Sequence, residues 1–377
     1  MPDSMQPLAV PTNVADIVTF NEQFPDRPMR MAPDTGNAMT AALAAQGALF
    51  DELSAAMAAY EIPLGMLANL NESTERFKEF FVDDSGSMCT ADGELRDGTC
   101  CTRWRECEER ITTMLDILAH LPCPGIRIQF FNRRAIINLT HENTSPEEFK
   151  NIARREVRQA FSTPPSGSTP MLAKLLRIFA DANARSQKTY VYVFSDGTPD
   201  ENKAAICKAI LTRNAERIHM NLMSVSGRPG DTQWMKEVEE MAMVDGTPSF
   251  LGEYDDFKSE RDEVLHDQGS GFPYTYGSWL VGCLCGASFP ETLDAMDEGV
   301  PFTRKTMQEI CGRTMLPEEY GQVYFTRFMQ NERKTPEENA GSFRLWHHLY
   351  SQFARDDITS HQIPDVIAYL KSARMTQ

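Results

Sequence analysis

The chain has 377 residues, of which 41% are hydrophobic and 24% charged, and its formal charge is −17. Such a composition belongs to a soluble globular protein, and the length predicts one domain of about 200 residues with extensions, or two domains. A uniformly acidic chain does not steer toward nucleic acid or an anionic membrane, and no window is apolar for long enough to span a bilayer.

Residues 1–36 carry Pro, Asp, Asn and Gly punctuation and little periodicity, and read as an extended or partly ordered arm. No basic segment followed by an apolar one marks a secretory signal there. From Asn37 to Tyr60 the residues Met39, Leu43, Phe50, Leu53, Met57 and Tyr60 share one stripe at helical spacing, and Pro63 ends the run. Residues 37–73 are therefore expected to form a helical segment packed on the next domain.

Phe77–Asp83 reads as the first buried strand. A helix is expected over Cys107–Leu121, a second strand over Ile126–Phe131, and a third over Ala135–Leu139 that pairs with it as a hairpin. Pro146–Phe161 is a helix with proline in its first turn, and the loop P-P-S-G-S-T-P separates it from a helix over Met171–Ala184. Thr189–Phe194 is a short β-branched run of the kind found in a central parallel strand. Lys203–Asn214 is helical, Ile218–Val225 is a strand, Asp231–Met243 is helical, and Ser249–Leu251 is a last short strand. Strands alternating with helices predict a parallel sheet covered on both faces.

Between the first strand and the next helix lies C-T-A-D-G-E-L-R-D-G-T-C-C-T-R-W-R-E-C, with Cys89, Cys100, Cys101 and Cys107. A zinc site wants paired C-x₂-C spacing and often a histidine, and neither is present. The segment reads as a surface insertion with free thiols. The nine cysteines, an odd number scattered along a large chain, favour a reducing compartment and a cytoplasmic location. Cys283 and Cys285, in an apolar run, read as core.

The loops that follow the apolar strands carry the chemistry. The first strand ends in F-F-V-D-D-S-G-S-M, which delivers Asp83, Ser85 and Ser87. The loop before the Met171 helix presents Thr169, and the Thr189 strand ends in S-D-G and delivers Asp196. Ligands in open α/β sheets bind at the carboxyl ends of strands. Two carboxylates and three hydroxyls make weak nucleophile machinery without a base, but they are good oxygen ligands for a hard cation such as Mg²⁺.

D-x-S-x-S at Asp83, Ser85 and Ser87, followed by Thr169 in a small-residue loop and Asp196 at a strand end, resembles the metal-ion-dependent adhesion site (MIDAS) of von Willebrand factor type A (vWA) domains. The resemblance covers about residues 74–255. It implies an α/β, Rossmann-like three-layer fold, with a mostly parallel central sheet and one antiparallel edge strand. It also implies one Mg²⁺ or Mn²⁺ contacted by Ser85, Ser87 and Thr169 and supported by Asp83 and Asp196, with a partner's Asp or Glu taking the open position. Two departures stand out. Asp84 occupies a position that is usually small or apolar, and S-G-S-T-P replaces the commoner Gly-Gly-Thr.

The domain reading is thus an arm over 1–36, a helical segment over 37–73, a vWA domain over 74–268 and a helical extension over 269–377. In that extension Gly269–Gly277 is a loop, and helices are expected over Pro290–Asp297, Thr303–Cys311, Pro317–Gln330, Ser342–Arg355 and Pro364–Ala373. His347 and His348 sit in an aromatic helix without a metal-binding pattern, so packing is expected of them. There is no phosphate loop, no nucleophile elbow and no dinucleotide fingerprint. The expected function is an intracellular protein-interaction module that binds a partner carboxylate through the metal, with no nucleic acid and no membrane involved. The alternatives are a metal-assisted hydrolase or an RNA-binding scaffold on the same fold.

Overall fold

The computed structural model describes residues 53–331, apart from 54, 198, 227, 243–248, 290–291 and 298–300, together with residues 350, 353–355 and 357. The expected arm, half of the Asn37–Tyr60 stripe (Met39, Leu43 and Phe50), His347 and His348, most of the expected Ser342–Arg355 helix and the whole of Pro364–Ala373 lie outside those residues.

The strands are β1 (Phe77–Val82), β2 (Gly93–Glu94), β3 (Cys100–Cys101), β4 (Ile126–Phe130), β5 (Ile136–Leu139), β6 (Thr189–Ser195), β7 (Ile218–Ser224) and β8 (Leu251–Tyr254). Among the described residues, six of them form one sheet in the order β5-β4-β1-β6-β7-β8. Every neighbour pair is parallel except β4 with β5, which closes one edge as the expected hairpin. Strands β6 and β7 are buried along their whole length, as unbroken β-rich runs between two helical layers should be. β2 and β3 pair as a small separate hairpin inside the cysteine-rich segment.

The helices are α1 (Leu67–Glu72), α2 (Arg103–Leu118), α3 (Pro146–Phe161), α4 (Leu172–Ala184), α5 (Lys203–Leu211), α6 (Pro229–Ala242), α7 (Phe257–Gln268), α8 (Tyr276–Cys285) and α9 (Arg304–Cys311). A further helical run, α10, covers Pro317–Asn331 with a π-helical stretch at Tyr320–Phe325. Alternation along the strands sorts side chains between the two faces. Phe81, Val191, Val193, Met220 and Leu222 meet Leu175 and Ile178 of α4, Ile206 of α5 and Trp234 of α6. Phe80, Val82, Tyr192 and Phe194 meet Ile111 and Met114 of α2, Val157 of α3 and Leu280 of α8 on the other side. The result is a three-layer α/β fold with one antiparallel edge strand.

Local chemistry explains several element boundaries. Thr102 Oγ1 accepts from the Arg105 N–H and starts α2 four residues before the expected Cys107. Ser145 accepts from the Glu148 N–H ahead of Pro146, where α3 begins as expected. The last strand lies at Leu251–Tyr254, shifted from the expected Ser249–Leu251. Residues 257–268 and 276–285 are helices that periodicity did not reveal. All ten residues of α8 are buried, so it has no polar face to create a period. Phe272, Trp279, Phe302, Met307 and Phe328 join the same apolar cluster as Phe80 and Val82.

Candidate metal centre

The site begins with strand register. Val82 pairs with Phe130 on one side and Phe194 on the other, so Asp83 and Ser195 leave the sheet side by side. The Asp83 N–H donates to the Phe194 carbonyl (2.8 Å). The Asp83 carboxylate accepts from Ser195 Oγ at Oδ2 (2.7 Å) and from the Ser85 N–H at Oδ1 (2.9 Å). A carboxylate that accepts from the N–H two residues on makes an Asx turn, and this one takes the chain out of the strand. Ser85 Oγ and Ser87 Oγ lie 2.9 Å apart, and Ser87 Oγ donates to Asp196 Oδ1 (2.8 Å). Asp83, Ser85, Ser87 and Asp196 therefore form one hydrogen-bonded chain across β1 and β6. Asp83, Ser85 and Asp196 are buried, while Ser87 is exposed at the mouth.

The loop that carries Thr169 reaches the same edge through the backbone of Ser166 and Gly167. The Gly86 N–H donates to the Gly167 carbonyl (3.0 Å), and the Ser166 N–H donates to the Asp84 carbonyl (2.8 Å). Gly167 has φ 100°, a conformation that a residue with a Cβ adopts only under strain. The Thr169 N–H donates to Asp200 Oδ2 (2.5 Å), which ties this loop to the segment after β6. Glu201 accepts from the Met171 and Leu172 N–H groups (2.9 and 3.2 Å), capping α4 with a charge that suits a helix N-terminus.

Asp84 points elsewhere. Its carboxylate accepts from the Asn132 N–H (2.7 Å) and pairs with Arg133 Nε (3.1 Å), so its charge serves the β4–β5 turn.

Arg103, the first residue of α2, is a component that the sequence did not mark. Its side chain is 3% exposed. Nη1 donates to Asp196 Oδ2 (2.9 Å), Nε and Nη2 grip both oxygens of Asp92 (2.6 and 2.7 Å), and Nη2 also reaches Asp231 (3.2 Å). Asp196 thus divides its two oxygens, Oδ1 toward Ser87 and Oδ2 into this ion pair. A cation at the N-terminus of a helix is disfavoured by the helix dipole, and the three carboxylates compensate for it. Burial pushes the Asp83 carboxyl up to about 6, against the hydrogen bonds from Ser85 and Ser195 that favour its charged form. The hydrogen bonds from Arg103 hold the Asp92 carboxyl below its ordinary value.

Among the described residues, no three His, Cys, Asp or Glu side chains gather into a metal-holding group. The set at this edge is of another kind, two carboxylates with hydroxyl oxygens between them. Hard oxygen donors of this sort fit Mg²⁺ or Mn²⁺ and exclude a soft-metal centre.

No known protein-family model matches the sequence, and no curated protein matches it. Solved structures with similarity include the manganese-loaded TRAP protein of Plasmodium vivax, 14% identical over 50% of this chain and 72% of that one, with a TM-score of 0.36. The SpRpn10 VWA domain is 9% identical over 48% of this chain and 87% of that one, with a TM-score of 0.34. The von Willebrand factor type A protein from Catenulispora acidiphila is 14% identical over 56% of this chain and 43% of that one, with a TM-score of 0.32. Scores this low carry no weight on their own. The vWA-like fold stands on the strand order, the parallel register and the antiparallel edge described above.

Proposed function

We propose that this chain is an intracellular protein-interaction module that captures an Asp or Glu carboxylate of a partner through one bound Mg²⁺ or Mn²⁺. The observation that carries the reading is the hydrogen-bonded chain from Asp83 through Ser85 and Ser87 to Asp196 at the carboxyl edge of β1 and β6. Ser85, Ser87 and Thr169 would supply the hydroxyl oxygens that touch the metal. Asp83 and Asp196 would act through hydrogen bonds and charge. A divalent cation supplies a coordination position that a carboxylate can take. Nine free thiols, with Cys89 and Cys100 exposed, support a reducing compartment. No helix among the described residues is long and apolar enough to cross a membrane.

Titration calorimetry of chelator-stripped protein with Mn²⁺ tests the site. One ion per chain is expected in the wild type and none in a Ser85→Ala, Ser87→Ala double variant. Equal binding by both proteins would move the metal elsewhere. A pull-down with and without chelator tests the partner, and capture that is indifferent to chelator would sink the metal-bridged reading.

A further inference from the structure

Arg103 stands among three carboxylates from three separate places: Asp92 in the cysteine-rich segment, Asp196 after β6, and Asp231 in α6. We infer that Arg103 is a resident counter-cation that limits how tightly the centre holds a divalent ion and joins the cysteine-rich segment to that centre. The inference rests on the metal reading above.

The geometry carries the argument. Asp196 divides its carboxylate, with Oδ1 on Ser87 and Oδ2 on Arg103. A cation held by Ser85 and Ser87 must share Asp196 with a guanidinium already paired to it. Two positive charges in a water-poor pocket repel strongly. An arginine cannot relieve that repulsion by losing its proton. Asp92 and Asp231 offset part of the Arg103 charge. Asp92 is the accessible handle, because its side chain is 25% exposed and Arg228 also reaches it (3.3 Å). Removing Arg103 should therefore strengthen metal binding, and removing the Asp92 charge should weaken it. A purely structural arginine would give the opposite sign in the first case.

The test compares wild type, Arg103→Met, Arg103→Lys, Asp92→Asn and the Ser85→Ala, Ser87→Ala control. Mn²⁺ affinity is read by calorimetry and by the paramagnetic resonance of free Mn²⁺, and melting is followed in chelator. Arg103→Met should melt lower yet bind Mn²⁺ about tenfold tighter. Arg103→Lys should stay near the wild type, and Asp92→Asn should bind several-fold more weakly. A wild type that binds while a folded Arg103→Met binds equally or less well overturns the inference and leaves the metal reading standing. A wild type and an Arg103→Met that both fail to bind overturn the two together. Tight binding confined to Arg103→Met supports the inference and overturns the reading that the wild type holds the ion. Should Arg103→Met not fold, Asp92→Asn decides, and affinity equal to or above the wild type overturns the inference.

Discussion

The two aspartates of the candidate centre should differ sharply in what they do for the fold. Asp196 is 1% exposed and holds a buried guanidinium. Breaking a buried ion pair costs about 3–5 kcal/mol when the surviving charge has nothing else. Arg103 keeps Asp92 and Asp231, and asparagine still accepts one hydrogen bond. The loss in Asp196→Asn should therefore be nearer that of one charge-assisted bond, about 2 kcal/mol. Asp83 is fully buried, and its hydrogen bonds come from the Ser85 N–H and Ser195 Oγ. Asparagine can keep both, because a serine hydroxyl also accepts, and it removes a charge that burial disfavours. Asp83→Asn should be as stable as the wild type or more so. The assay is urea unfolding in chelator at neutral pH, which removes any contribution from metal. Equal stability of Asp196→Asn and wild type, or an equal loss in Asp83→Asn, would refute the assignment of Arg103 as the group that Asp196 serves.

Two further outcomes are expected. Burial, aided by nearby cations such as Arg76, pushes the His219 imidazole down to about 2, so the folded state keeps it neutral while the unfolded chain takes up a proton. Stability should fall as pH drops below about 6.5, by up to about 1.4 kcal/mol per unit from this group, and His219→Gln should flatten that slope in urea titrations. Ser replacements at Cys89, Cys100 and Cys101, which are exposed or half-buried, should leave the melting temperature nearly unchanged. Cys107 is fully buried in α2, and Cys107→Ser should cost about 1–3 kcal/mol by burying a hydroxyl; equal melting of the two mutants would contradict that placement.

Much of the α/β architecture was legible because it rests on local signals. Short apolar runs marked the main strands, Pro146 marked the start of α3, and Asp83 and Asp196 fall at one sheet edge because parallel register sets Asp83 level with Ser195, the residue before Asp196. What could not be read were the partners of charges. Nothing in T-R-W-R-E distinguishes Arg103 from Arg105, yet the first is buried on three carboxylates and the second pairs with Glu108 on the surface. Asp84 and Asp83 are adjacent and chemically identical, and only the fold sends one to Arg133 and the other to Ser195.

Polar residues inside the central strands show how far the segment after residue 268 enters this fold. Tyr190, Tyr192 and Asn221 lie in β6 and β7, where apolar side chains are the rule. Burying their polar groups without partners would cost about 1–3 kcal/mol each. The partners of Tyr192 and Asn221 come from α8 and the turn after it, and Tyr190 joins them through Asn221. Tyr192 Oη donates to the Leu284 carbonyl (2.7 Å), and Asn221 Nδ2 donates to the Gly282 and Cys283 carbonyls (3.0 and 2.8 Å). Asn221 Oδ1 accepts from the Ala287 N–H (3.1 Å) and from Tyr190 Oη (3.2 Å). These carbonyls lie in the last turn of α8, where a helix runs short of its own donors, although the Gly286 N–H also serves Gly282. The sheet thus completes the helix end, and the helix end satisfies the sheet. Neither side could be buried alone at an acceptable cost. A chain cut after Gln268 would expose both, so the stable unit extends through α8.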